Sequence, residues 1–198
     1  MATSPQSASS DRWEFRVWLP PDVVDNPLAG WQETGEDNRT DRYLLLPERP
    51  DLLTKLRGGE RFEIKRRVDR KPPFERWSVA VSAAFPLGPE ICAAVGSLLM
   101  PQHTALSDTD GQTVTNLLTA LTTAQAAFET RSVTKVRHRF QAGDVMGEWT
   151  SVTVEETGIR ATTLAFETAD LDALTAAVDG LRISNVPNRN YGAWLLGT

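Results

Sequence analysis

The stretch RFEIKRR, residues 61–67, places Arg61, Glu63, Lys65 and Arg67 on alternate positions, with Phe62 and Ile64 between them. Period-two alternation describes an extended strand with one charged and one apolar face. The pattern returns in SVTKVRHRFQ, where Lys135, Arg137 and Arg139 oppose Val136, His138 and Phe140, and on a smaller scale at Arg16 and at Lys55 and Arg57. Glu14, Glu63, Glu75, Glu155 and Glu167 share these strand faces. Cations on neighbouring strands repel one another, a cost that is tolerable if water screens them or if they converge on a bound polyanion. In the second case the chemistry is phosphate recognition, for which guanidinium and ammonium groups supply charge-assisted hydrogen bonds. In the first case the segments are the solvated face of an ordinary antiparallel sheet. Residue pattern alone leaves both readings open.

Other chemistries find less support. His103 and His138 are the only histidines, and no HExxH, Walker loop, GxGxxG or GxSxG motif occurs. His138 shares a strand face with Val136 and Phe140 and is expected to be a packed residue. Cys92, the single cysteine, falls on an apolar helix pattern and reads as an inert buried thiol. It excludes an internal disulfide and any multi-cysteine zinc site, and fits a reducing, cytoplasmic setting. Of the six tryptophans, Trp18 and Trp77 fall on charged faces, where either could stack on a planar group.

The formal charge of the 198-residue chain is −5, with 26 acidic against 21 basic residues, which argues against a general nucleic-acid coat. The opening MATSPQSASSD has neither a basic nor an apolar block, so residues 1–11 are expected to form a disordered tail. No apolar run of roughly 18 residues suggests a membrane span.

The elements that must position these side chains are mostly strands. EFRVWL ends at Pro20 and Pro21. Residues 22–41, acidic and marked by Gly and Asn, read mainly as a connection before the strand RYLLLP. TKLR and RFEIKRR flank Gly58-Gly59, a hairpin signal, and ERWSVAVSAAF continues the sheet. EICAAVGSLLM and the stripe Val114, Leu117, Leu118, Leu121, Phe128 read as helices. SVTKVRHRFQ, VMGEWTSVTVEE and ATTLAFE return to strands. Leu171, Leu174, Val178 and Leu181 repeat at helical spacing behind an Asp170 cap. The sum is about eight strands with interrupting helices: one α+β domain over residues 12–198, built on an antiparallel sheet or barrel.

This order of elements resembles the CYTH, or triphosphate tunnel, family, which includes thiamine-triphosphatase-like enzymes and class IV adenylate cyclases. The resemblance rests on the basic hairpin KLRGGERFEIKRR, the later strand KVRHR, the segment LAFETADLDALTAAVDGL and the closing YGAWL. It implies a closed barrel whose lumen binds a phosphorylated small molecule or polyphosphate through Arg16, Arg57, Lys65, Arg67, Arg137 and Arg139. It also implies that Glu14 and Glu167 hold Mg or Mn. The family's Glu-x-Glu-x-Lys start appears here as Glu14, Arg16 and Trp18, and Ala165 stands two residues before Glu167. With two carboxylates replaced, weak or absent metal-dependent hydrolysis is expected. The other reading is a structural or partner-binding α+β protein with a solvated basic sheet and no small ligand.

Overall fold

The computed structural model describes residues 11–23, 25–102, 106–124 and 128–197. The expected tail therefore lies outside the described residues except for Asp11, and so does His103. Eight strands run in chain order as β1 (Arg12–Leu19), β2 (Gln32–Leu45), β3 (Leu52–Arg57), β4 (Arg61–Lys71), β5 (Phe74–Ala84), β6 (Glu129–Ala142), β7 (Val145–Val154) and β8 (Arg160–Thr168). They close into an antiparallel barrel in the order β1-β5-β4-β3-β2-β6-β7-β8. Gly58 and Gly59 adopt φ of 59° and 78°, the left-handed conformation that a two-residue hairpin turn between β3 and β4 requires.

The charged faces turn inward and the apolar faces outward. Phe62, Ile64 and Val81 on the outside of β4 and β5 pack against α1 (Pro89–Leu99) and α2 (Val114–Thr123), with Cys92 fully buried among them. Phe15, Val17, Leu164 and Phe166 do the same under α3 (Leu171–Gly180). The Asp170 side chain caps α3 by accepting from the amides of Asp172 and Ala173 at 2.8 and 3.3 Å. Helices thus supply on the outside the apolar burial that a polar lumen cannot supply within.

A short α4 (Tyr191–Leu196) closes one end of the barrel. Asn190 caps it, accepting from the Ala193 amide at 3.0 Å. Tyr191 is packed with Tyr43, Leu45, Val133 and Val152, and the Trp194 ring lies flat on Trp18 at 3.8 Å. No helix among the described residues is long and apolar enough to cross a membrane.

Two expectations need correction. Residues 32–41 are not a connection but the first ten residues of β2, paired along their length with β6. His138 is not a packed residue: its side chain is 38% exposed, with Nδ1 3.3 Å from the Glu33 carboxylate.

Candidate functional site

Barrel register places the charged residues. β1 turns Glu14 and Arg16 inward, and its neighbours β8 and β5 set Glu167 and Glu75 opposite Glu14. Lys65 from β4 reaches across to Glu14 at 2.5 Å, with Glu167 at 3.9 Å. Lys55 and Arg57 from β3 approach Glu63 at 2.8 and 3.7 Å. β6 contributes Lys135, Arg137 and Arg139. All of these side chains but Glu75 line one cavity of about 340 Å³, walled by nine basic residues and four carboxylates. Even with Asp37 and Asp41, which lie among the arginines of β2 and β6, the cations are in excess.

An unbroken chain of opposite charges runs around one wall. Arg16 donates to Glu148 at 3.2 Å, and Glu148 accepts from Arg137 at 2.7 Å. Arg137 also donates to Asp37, which accepts from Arg39 at 3.1 Å. Arg39 continues to Asp41 at 3.0 Å, and Lys135 donates to Asp41 at 2.8 Å. Burial alone would raise the Glu148 carboxyl, but Arg16 and Arg137 outweigh it and hold the group at about 2. Asp41 is likewise held at about 2 against its burial, chiefly by Lys135 and Lys55.

Two buried groups move the other way. Burial, and then repulsion from Glu167, push Glu14 up to about 7 despite Lys65. Lys135 sits at the closed end, 4.0 Å from the centre of the Tyr191 ring and hydrogen-bonded to the Tyr43 hydroxyl at 2.6 Å. Burial and the neighbouring Lys55 bring it down to about 7.

At the open mouth the donors are less committed. The Arg139 guanidinium makes no hydrogen bond or ion pair with the described residues. Its guanidinium lies against Gly35, where a Cβ would meet Nη2 at 2.9 Å, and Gly35 holds a φ of +151° that other residues rarely adopt. A glycine there leaves Arg139 room to reach the lumen.

Of the phosphate-contact candidates, Arg16, Arg57, Lys65, Arg137 and Arg139 line this cavity, and Arg67 does not. Arg67 donates to Glu75 at 2.6 Å and opens onto a separate cavity beside α4. Neither tryptophan singled out is a free stacking surface: Trp18 is covered by Trp194, and buried Trp77 donates to Glu75 at 3.2 Å. Lys55 and Lys135 belonged to the basic faces seen in the sequence, whereas Arg39, Asp37, Asp41 and Glu148 escaped notice. Alternation within TGEDNRTDRY was the signal that could have revealed the first three.

Glu14 and Glu167 do lie side by side, as Mg or Mn ligands would. The donor set does not fit such an ion. The Lys65 ammonium stands against both carboxylates, Arg16 and Ala165 hold the neighbouring inward positions, and Glu75 is engaged by Arg67, Trp77 and Asn190. Among the described residues no group of three or more acidic, histidine or cysteine side chains is arranged to hold a metal.

A closed eight-stranded antiparallel barrel with flanking helices and a charged lumen is a divergent CYTH-like, triphosphate-tunnel fold. No family model matches the sequence, and no curated protein matches it. Among solved structures the chain is similar to a Bacillus halodurans protein whose assignment as an adenylate cyclase is provisional, with 11% identity, a TM-score of 0.50, and coverage of 93% of this chain and 96% of that one. A conserved hypothetical protein from Pyrococcus furiosus shares 14% identity at a TM-score of 0.54, with 91% and 97% covered. At these identities the likeness is one of fold.

Proposed function

We propose that residues 12–198 act as one domain in the cytoplasm and bind a phosphorylated small molecule or a polyphosphate by its phosphate groups, inside the barrel. One observation carries this reading: a chain of net charge −5 gathers nine basic side chains against four carboxylates around a single cavity. Several fixed cations in a partly desolvated cavity offset the charge of a polyphosphate far better than the same cations spread over a wet surface. Arg57 and Arg139 meet the phosphates at the mouth, and Arg16, Lys65 and Arg137, already oriented by carboxylates, complete the shell below. The closed barrel speaks against a solvated basic sheet, because the basic faces of four strands, β1, β3, β4 and β6, share an enclosed lumen.

Arg67 is left out of this shell by its position. Because Lys65 already stands against the paired carboxylates, binding of the anion itself needs no Mg or Mn. The test is a thermal-shift series with tripolyphosphate, nucleotides and thiamine phosphates, each with and without magnesium. Tripolyphosphate is expected to raise the melting temperature without magnesium. No rise with any of these ligands overturns the reading.

A further inference from the structure

The second cavity, about 580 Å³, lies between α4, the end of β2 and the start of β3, on the far side of α4 from the charged lumen. Its walls are partly apolar, including Leu45, Leu53, Ala193 and Leu196. Four arginines and two glutamates are the charged residues around it. The two carboxylates are already satisfied: Glu75 accepts from Arg67, Trp77 and Asn190, and Glu129 accepts from Arg131 at 2.8 Å. Two of the arginines are satisfied as well, Arg67 by Glu75 and Arg49 by Asp51 at 3.1 Å and the Leu98 carbonyl at 3.0 Å.

The other two are not. The guanidinium groups of Arg70 and Arg189 make no hydrogen bond or ion pair with the described residues, yet both border this cavity. Arg189 is fixed by its backbone, whose amide donates to the Arg16 carbonyl at 2.9 Å and whose carbonyl accepts from the Trp18 indole at 2.9 Å. The local balance is therefore a surplus of positive donors beside the half-buried apolar side chains of Leu53, Ala193 and Leu196, in a volume typical of small-molecule sites. Water alone satisfies the guanidinium groups, but it leaves the uncovered parts of Leu53 and Leu196 wet.

We propose that this cavity is a second ligand site, for a small amphiphilic anion: an apolar body along Leu53, Ala193 and Leu196, and an anionic head at Arg70 and Arg189. It is separate from the phosphate site, since it shares only Leu53 and Asn190 with the lumen.

The test uses 8-anilinonaphthalene-1-sulfonate, an aromatic body with one sulfonate, followed by its fluorescence on titration into the full chain. Saturable one-site binding is expected, weakened at least tenfold in Arg70→Ala/Arg189→Ala, since one lost charge-assisted contact alone removes about that factor. Near-ultraviolet circular dichroism of the double variant shows that it has kept its packing. Excess tripolyphosphate and the variant Arg137→Ala, which act in the lumen, are expected to leave the titration unchanged. Absence of saturable binding, equal binding by the folded double variant, or displacement by tripolyphosphate each overturns the proposal.

Discussion

Arg16 and Glu148 join hands over Ala165. Register sets Arg16 beside Ala165 on β8, and Ala165 beside Glu148 on β7, so the guanidinium and the carboxylate meet 3.2 Å apart above the one small side chain between them. Two of the departures from the family pattern, Arg16 and Ala165, are thus one arrangement: the cation needs the gap.

Replacing Arg16 by Glu is expected to convert that arrangement into a cation site. The new carboxylate joins Glu14, Glu148 and Glu167, and their mutual repulsion destabilises the unliganded barrel. Manganese should then bind measurably by calorimetry and raise the melting temperature of the variant, with little heat in the parent protein. The parent is expected to show very low triphosphatase activity with magnesium or manganese. Robust metal-dependent turnover by the parent would refute this account of Arg16.

Glu148 serves two arginines, so Glu148→Ala leaves buried positive charge uncompensated. A loss of about 3–5 kcal/mol in urea unfolding is expected, the usual cost of breaking a buried pair from one side. A loss below about 1 kcal/mol, as for exposed pairs, would mean that water reaches this wall freely.

Lys65→Ala and Arg137→Ala should each remove most of the tripolyphosphate-induced thermal shift, since a charge-assisted contact contributes roughly 1.5–3 kcal/mol. Arg67→Ala should leave the shift intact, because Arg67 faces the other cavity. If Arg67→Ala abolishes the shift while the other two do not, the binding site has been misplaced.

Acid should strengthen anion binding through Glu14. With its carboxyl raised to about 7 from an ordinary 4.5, the folded protein holds a proton there that the unfolded chain has released. Glu14 therefore contributes to stability below about pH 4.5, and that contribution is lost as pH rises through about 7. Protonation also removes a negative charge from the cavity and frees Lys65 for phosphate. Affinity should rise as pH falls through about 7, and Glu14→Gln should lose that part of the dependence. Comparing the two proteins with the same ligand cancels the ligand's own titration near pH 6. Parallel pH profiles would sink the idea.

The eight strands were legible wherever one face was apolar, as in RFEIKRR and SVTKVRHRFQ, because outer faces packed under helices keep a clean period of two. β2 was half lost because its first ten residues face the polar lumen on one side and water on the other. Asp37, Arg39 and Asp41 alternate with Glu36, Asn38 and Thr40, so no hydrophobic contrast betrays the strand. Gly35 and Asn38 then imitated a turn. The basic half of the site could be read because the cations sit on strands with apolar backs. Glu14, Glu63 and Glu167 could be read the same way, but Glu148 could not, since it is a single acid in VMGEWTSVTV whose significance depends on Arg16, 132 residues away. Alternation gives a side chain's direction but not its depth along the barrel, and α4 divides that depth, so Arg67 reads as a lumen residue while it lies at the second cavity.

The pairing of β1 with β8 also orders events as the chain folds. Residues 12–19 are made early and wait for residues 160–168 before the last seam is sewn. Until then the sheet is open, its edges unpaired and its charged face wet, and the outer apolar faces depend on helices from the middle and the end of the chain. Contacts of such long range form slowly. Arg16–Glu148 and Lys65–Glu14 cannot be enclosed before that seam closes, so the cavity is the final product of folding. In a refolding experiment, the capacity to bind tripolyphosphate should appear with the slowest phase, after most of the secondary structure has formed.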